Sequence, residues 1–249
     1  MGESAAIAAT IRGFRVNPTD KPKGAVVLLS DTSGVTLEVE TLTTAFAAKG
    51  YATIALDIPR ASETGSNEAT ADAAGVSTGA PDARTEVFAE IQAAVDSMKD
   101  FGKVAVVGYC EGGDLAYAAA NRVTGIACVV AYAGRETLGD FREKRRAPTM
   151  LHFAESDSST SGETITQFRA HRPDVSAFAY PAASGFFATG RDAFQPDAAE
   201  KAQERTLFWI SQYVEGQQPI LLKNSGSYAQ AKTDKKKKKK DDDMGPPLD

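Results

Sequence analysis

The sequence predicts an α/β fold with a mostly parallel central sheet of about seven strands and helices on both faces. Short apolar runs alternate with longer helix-like segments along most of its 249 residues. Runs such as Ala25-Val26-Val27-Leu28-Leu29 are continuously apolar, as strands buried on both faces require. One such run, Val104 to Val107, passes through Gly108 into a turn and then a helix. Alternation of this kind implies βαβ units and a covered parallel sheet.

The elements follow in order. Strands are expected at Ile7–Val16, Ala25–Ser30, Ala52–Asp57, Val104–Val107, Ile126–Tyr132, Thr149–Phe153 and Val175–Tyr180. Helices are expected at Leu37–Lys49, Ala83–Asp100, Gly112–Asn121, Gly162–His171 and Asp197–Val214. Gly50 follows the first helix where a glycine commonly ends one. Pro196 and Asp197 fit the start of the last, whose Ala202, Leu207, Trp209 and Ile210 share a face, so Trp209 reads as core. Ala61 to Pro81 is a long polar stretch that reads as an exposed loop. The domain is expected over residues 1–221. Residues 222–249, with a lysine run beside an aspartate run, read as a disordered charged tail that offers too little apolar surface to offset its ordering entropy.

Composition excludes several classes. No apolar run is long enough to span a bilayer as a helix, and the first residues carry neither a secretory nor a myristoylation pattern, so a cytoplasmic protein is expected. Net charge is −5, with seven lysines and five aspartates from residue 224 on, which leaves an acidic body unsuited to nucleic acid. Two cysteines and two histidines show no ligand spacing, so no metal and no cofactor are expected. Cys128 lies within an apolar run and reads as core packing. A monomer is expected.

The chemistry concentrates at Gly108-Tyr109-Cys110-Glu111-Gly112-Gly113. This strand, turn and helix is the context of a nucleophile elbow of type G-x-C-x-G. Gly108 and Gly112 let strand and helix approach closely. The helix N-terminus beside Cys110 favours a thiolate. In such hydrolases the acid and the base follow later in the chain, each after a strand. Asp157 stands after the strand Thr149–Phe153, in the acid's place. After the strand Val175–Tyr180 comes Pro181-Ala182-Ala183-Ser184-Gly185-Phe186, with no histidine.

These residues resemble the dienelactone hydrolase family, α/β-hydrolases with a cysteine nucleophile. The resemblance rests on Gly108-Tyr109-Cys110-x-Gly112-Gly113, Tyr132-x-Gly134, Leu151-His152-Phe153 followed by Asp157, and Tyr180-Pro181-Ala182-x-Ser184-x-Phe186. It covers roughly residues 5 to 215. It implies the α/β-hydrolase fold, a small ester or lactone substrate, Cys110 as nucleophile and Asp157 as acid. It implies an oxyanion hole from the backbone N–H groups of Thr32 and Glu111. Asp31 matches a glutamate that holds the resting cysteine in check. Ser184 occupies the position of the family's catalytic histidine. Arg84 and Arg191 lie in the regions from which the family's arginines hold a substrate carboxylate, without a clear match.

Losing the base should slow the enzyme. Removing it from a serine protease costs roughly a million-fold in turnover. His152, inside a central strand, reads as a hydrogen-bonded core residue. His171 ends a helix at the edge of the sheet opposite the elbow. Asp31 is then the best remaining acceptor for the thiol proton. Class I glutamine amidotransferases share G-x-C-x-G, but His152 and Glu155 would point to opposite faces of a strand and form no dyad. Three readings stay open: a weakened thiol hydrolase, a pseudoenzyme that binds an acyl or lactone ligand, and a redox-responsive thiol protein.

Overall fold

The computed structural model describes residues 12–30, 34–58, 81–132, 137–138, 144–156 and 160–216. Its strands are β1 (Gly13–Val16), β2 (Ala25–Leu29), β3 (Ala52–Leu56), β4 (Val104–Tyr109), β5 (Ile126–Tyr132), β6 (Thr149–Ala154) and β7 (Ser176–Tyr180). Its helices are α1 (Leu37–Ala48), α2 (Pro81–Met98), α3 (Glu111–Arg122), α4 (Gly162–His171) and α5 (Pro196–Ile210), the last running on through a π turn, Ser211–Glu215.

The seven strands form one sheet in the order β1-β3-β2-β4-β5-β6-β7. Only β1 runs antiparallel to its neighbour; every other pair is parallel. Side chains alternate across each strand and find a helix layer on either side. Val27, Leu29, Val106 and Val129 pack with Ile91, Val95, Tyr117 and Phe168 of α2, α3 and α4. Val26, Leu28, Val107 and Val130 pack with Val39, Phe46, Ala202 and Ile210 of α1 and α5. The continuous apolar runs therefore serve two cores at once.

Several boundaries moved. The first expected strand is described only from Gly13. β4 continues two residues beyond the expected Val107, because Gly108 and Tyr109 still pair with Ala131 and Tyr132. Gly50 has φ +96°, as the end of α1 demands. Trp209 is half-buried, as a residue at the margin of the core it was read to join, and packs against Tyr213 at 4.7 Å between ring centres. The expected loop Ala61–Pro81, apart from Pro81 at the start of α2, and the tail 222–249 lie outside the described residues.

Candidate active site

The backbone turns from β4 into α3 at Cys110. This residue has φ 54° and ψ −123°, and it is the only non-glycine described with a positive φ. Such a conformation costs about 1–3 kcal/mol and persists only where its surroundings enforce it. Here β4 ends at Tyr109 and α3 begins at Glu111, so one residue must turn strand into helix. The two glycines make that crossing possible. A Cβ on Gly108 would lie 2.0 Å from the carbonyl oxygen of Gly112, and one on Gly112 would lie 2.4 Å from that of Leu29. Cys110 itself caps α3 through its backbone, accepting from the Gly113 N–H at 2.9 Å. The Glu111 N–H stands in the first turn of α3, at the end of the helix where backbone N–H groups point outward.

The bend opens on a cavity of about 240 Å³ lined by Cys110, Tyr109, Ser30, the start of α1, and the loop after β7. The start of α1 supplies Thr36, Leu37, Glu38 and Val39, with Leu42 one turn on; the loop supplies Phe187 and Arg191. Thr36 caps α1 by accepting from the Val39 N–H. The Phe187 ring lies 4.7 Å from that of Tyr109, and the two form an aromatic wall backed by Tyr132, 5.1 Å from Phe187 and 4.6 Å from Tyr109. Arg191 Nε donates to Glu38 Oε2 at 3.1 Å, tying the loop to α1 across the cavity rim. This fold is possible because Gly185, at φ +86°, leaves room for the Arg191 chain; a Cβ there would meet its Cδ at 3.0 Å.

Behind the aromatic wall lies a buried polar relay. Arg205 donates to the Tyr180 hydroxyl at 2.9 Å. Tyr180 stands 2.8 Å from His152 Nδ1, His152 Nε2 stands 3.1 Å from Thr206 Oγ1, and Thr206 stands 3.1 Å from the Tyr132 hydroxyl. Arg205 has only protons to give, so the natural direction runs Arg205 to Tyr180 to His152 to Thr206 to Tyr132. That assigns the His152 proton to Nε2. Burial, with the Arg205 charge nearby, pushes the His152 pKa down to about 3. The neighbouring Tyr109 hydroxyl is buried beside Tyr132, and burial pushes its pKa well above the ordinary value.

Of the site residues expected from the sequence, Cys110, Gly108, Gly112 and Glu111 come together at the bend. Glu111 turns its side chain to solvent. Ser184 is exposed on the turn after β7 and does not line the cavity. Asp31, Thr32, Asp157 and Gly134 lie outside the described residues, as does the Arg84 side chain. His152 is the bonded core residue it was read to be. His171 is exposed, its Nδ1 against the Gln167 carbonyl, at the end of the helix that feeds β7. Cys128 is buried, and burial raises its thiol to about 12. The sequence did not single out Glu38, Leu42 or Phe187. Their signal was positional: sites in parallel sheets gather at the carboxyl ends of strands, where the segments after β2 and β7 begin. Among the described residues no three metal-ligating side chains stand together.

The model of the dienelactone hydrolase family matches residues 11–214, and the chain belongs to that family. A carboxymethylenebutenolidase of Pseudomonas sp. strain P51 is 33% identical over 110 residues, 43% of this chain. The match spans about half of that relative, 46% of its length. Among solved structures, a candidate dienelactone hydrolase of Klebsiella pneumoniae superposes with a TM-score of 0.66 at 19% identity, over 82% of this chain and 93% of that one. A dienelactone hydrolase of Anabaena variabilis gives 0.62 at 16%, over 86% and 98%. These likenesses establish the α/β-hydrolase fold. No helix among the described residues is long and apolar enough to cross a membrane.

Proposed function

We propose that this member of the dienelactone hydrolase family cleaves small carboxylic esters or lactones through Cys110, and does so slowly. The observation that carries the reading is the strained bend at Cys110, half-buried at the edge of a 240 Å³ cavity. Strain of this kind, held in place by two glycines, is the usual mark of a residue kept for chemistry.

In the first step the Cys110 sulfur, having given up its proton, attacks the ester carbonyl. The S–C bond forms and the carbonyl π pair moves onto oxygen. The N–H groups of Glu111 and Thr32 are the proposed donors to that oxyanion, each worth a few kcal/mol. The C–O bond to the leaving group then breaks, and the alcohol departs with a proton. Asp31 is the proposed acceptor of the thiol proton; Asp157 keeps the acid's role by its position in the chain. In the second step water must attack the thioester, and it needs a base. Ser184 is none at neutral pH. His152 is spoken for at both nitrogens and stays neutral throughout the physiological range. Release of the acyl group is therefore the slow step.

The same fact favours a second reading, a pseudoenzyme whose pocket holds an acyl or lactone group without turnover. Kinetics with p-nitrophenyl acetate separate the two. A burst of p-nitrophenolate of one equivalent per chain, followed by slow turnover abolished in Cys110→Ala, supports the hydrolase. A burst with no later turnover supports the pseudoenzyme. Absence of a burst overturns the role of Cys110.

A further inference from the structure

We propose that the site selects uncharged esters, because Glu38 cancels Arg191 on the wall of the cavity. This rests on Cys110 as the acylated residue.

Among its described lining residues the cavity carries two charged side chains, and they face each other. Arg191 Nε donates to Glu38 Oε2 at 3.1 Å. Without Glu38, the described lining would favour anions. Two helices, α1 and α3, begin at its wall, and helix N-termini favour negative charge. Arg191 would add a guanidinium suited to a carboxylate. Glu38 lies in the first turn of α1 and meets both: its carboxylate complements the α1 terminus and accepts from Arg191 Nε. An ester bearing a carboxylate would have to displace Glu38 from Arg191 and sit beside it. Like charges a few ångströms apart at a protein surface repel each other. Neither side chain is deeply buried, with Arg191 41% and Glu38 28% exposed, so the pair adds little to stability. Its consequence is for charge in the pocket.

The remaining wall says what the uncharged part of the substrate meets. Leu37, Val39, Leu42, Phe187 and the Tyr109 ring are apolar. A cavity of about 240 Å³ accommodates a short alkyl or single-ring acyl group against them. The structure thus assigns the site to compact, neutral esters or lactones.

The test compares two esters of equal chain length, p-nitrophenyl hexanoate and mono-p-nitrophenyl adipate, which differ in a terminal methyl against a terminal carboxylate. Acylation of Cys110 is followed by the p-nitrophenolate burst and by intact mass, each rate divided by that with dithiothreitol. The readout is the hexanoate-to-adipate ratio within one protein, which does not depend on how much of it is folded. The ratio is expected to be at least about tenfold in the unaltered chain, to fall about tenfold or more in Glu38→Gln, and to rise in Arg191→Gln. The double variant should return toward the starting ratio. High salt should shrink all these differences. A starting ratio near one, or a ratio unmoved by Glu38→Gln, overturns the proposal while acylation itself stands. No acylation by either ester overturns the reading it rests on as well.

Discussion

The Nδ1 atom of His152 and the hydroxyl of Tyr180 stand 2.8 Å apart in the core behind the cavity wall. With Thr206 on Nε2, both nitrogens of this imidazole are committed. The chain thus keeps a histidine close to its site and uses it to orient Tyr132, which stacks on Tyr109 beside the elbow.

This ring should make stability depend on pH. Its folded pKa is depressed to about 3 from 6.5. Between those values the unfolded chain binds a proton that the folded chain refuses. Stability is therefore full above about pH 6.5 and drains away as the pH falls toward 3. Urea midpoints should drop between about pH 7.5 and pH 4.5 by an amount equivalent to roughly 2–3 kcal/mol from this group. The variant His152→Gln should be weaker at the higher pH and lose less on acidification. Parallel midpoints for the two proteins would contradict the assignment.

Cys110 should be replaceable at a gain. A φ of 54° with ψ of −123° suits glycine, not a side chain. Cys110→Gly is expected to raise the melting temperature by several degrees, matching about 1–3 kcal/mol of released strain. A lower melting temperature would mean that the bend is not strained.

The glycines beside it should tolerate nothing. A Cβ at Gly108 or Gly112 meets backbone oxygen at 2.0 or 2.4 Å, and backbone cannot swing aside. Gly108→Ala and Gly112→Ala should each cost more than about 3 kcal/mol, at the exceptional end of single substitutions, read by thermal melting or soluble yield.

The sheet was legible because its strands are buried on both faces and leave unbroken apolar runs. β4 was cut short for a physical reason: Gly108 looks like a turn residue, yet it pairs with Leu29 and Ala131, and its missing side chain makes room for α3. The elbow was legible because its residues are consecutive. The rest of the cavity was not. Glu38 and Arg191 are separated by more than half the chain and meet only because α1 and the loop after β7 both leave the carboxyl edge of the sheet. Phe187 read as one of several aromatics; only packing against Tyr109 and Tyr132 puts it on the wall.

An imidazole at residue 184 should not by itself restore speed. Ser184 is exposed on the turn after β7 and lies outside the cavity lining. Ser184→His is therefore expected to leave steady-state turnover of p-nitrophenyl acetate, and the size of the burst, nearly unchanged. A rise of about a hundredfold, the scale of a positioned general base, would mean that a side chain at residue 184 reaches Cys110.

The central claim is that the thiol at the bend accepts an acyl group and gives it up slowly. The most direct measurement is a time course of intact mass after mixing with p-nitrophenyl acetate, with the modified peptide located by fragmentation. The account predicts one acetyl group per chain, on Cys110, formed quickly and lost slowly, with Cys128 untouched. An unmodified Cys110, or acetyl found only on surface lysines, would contradict it.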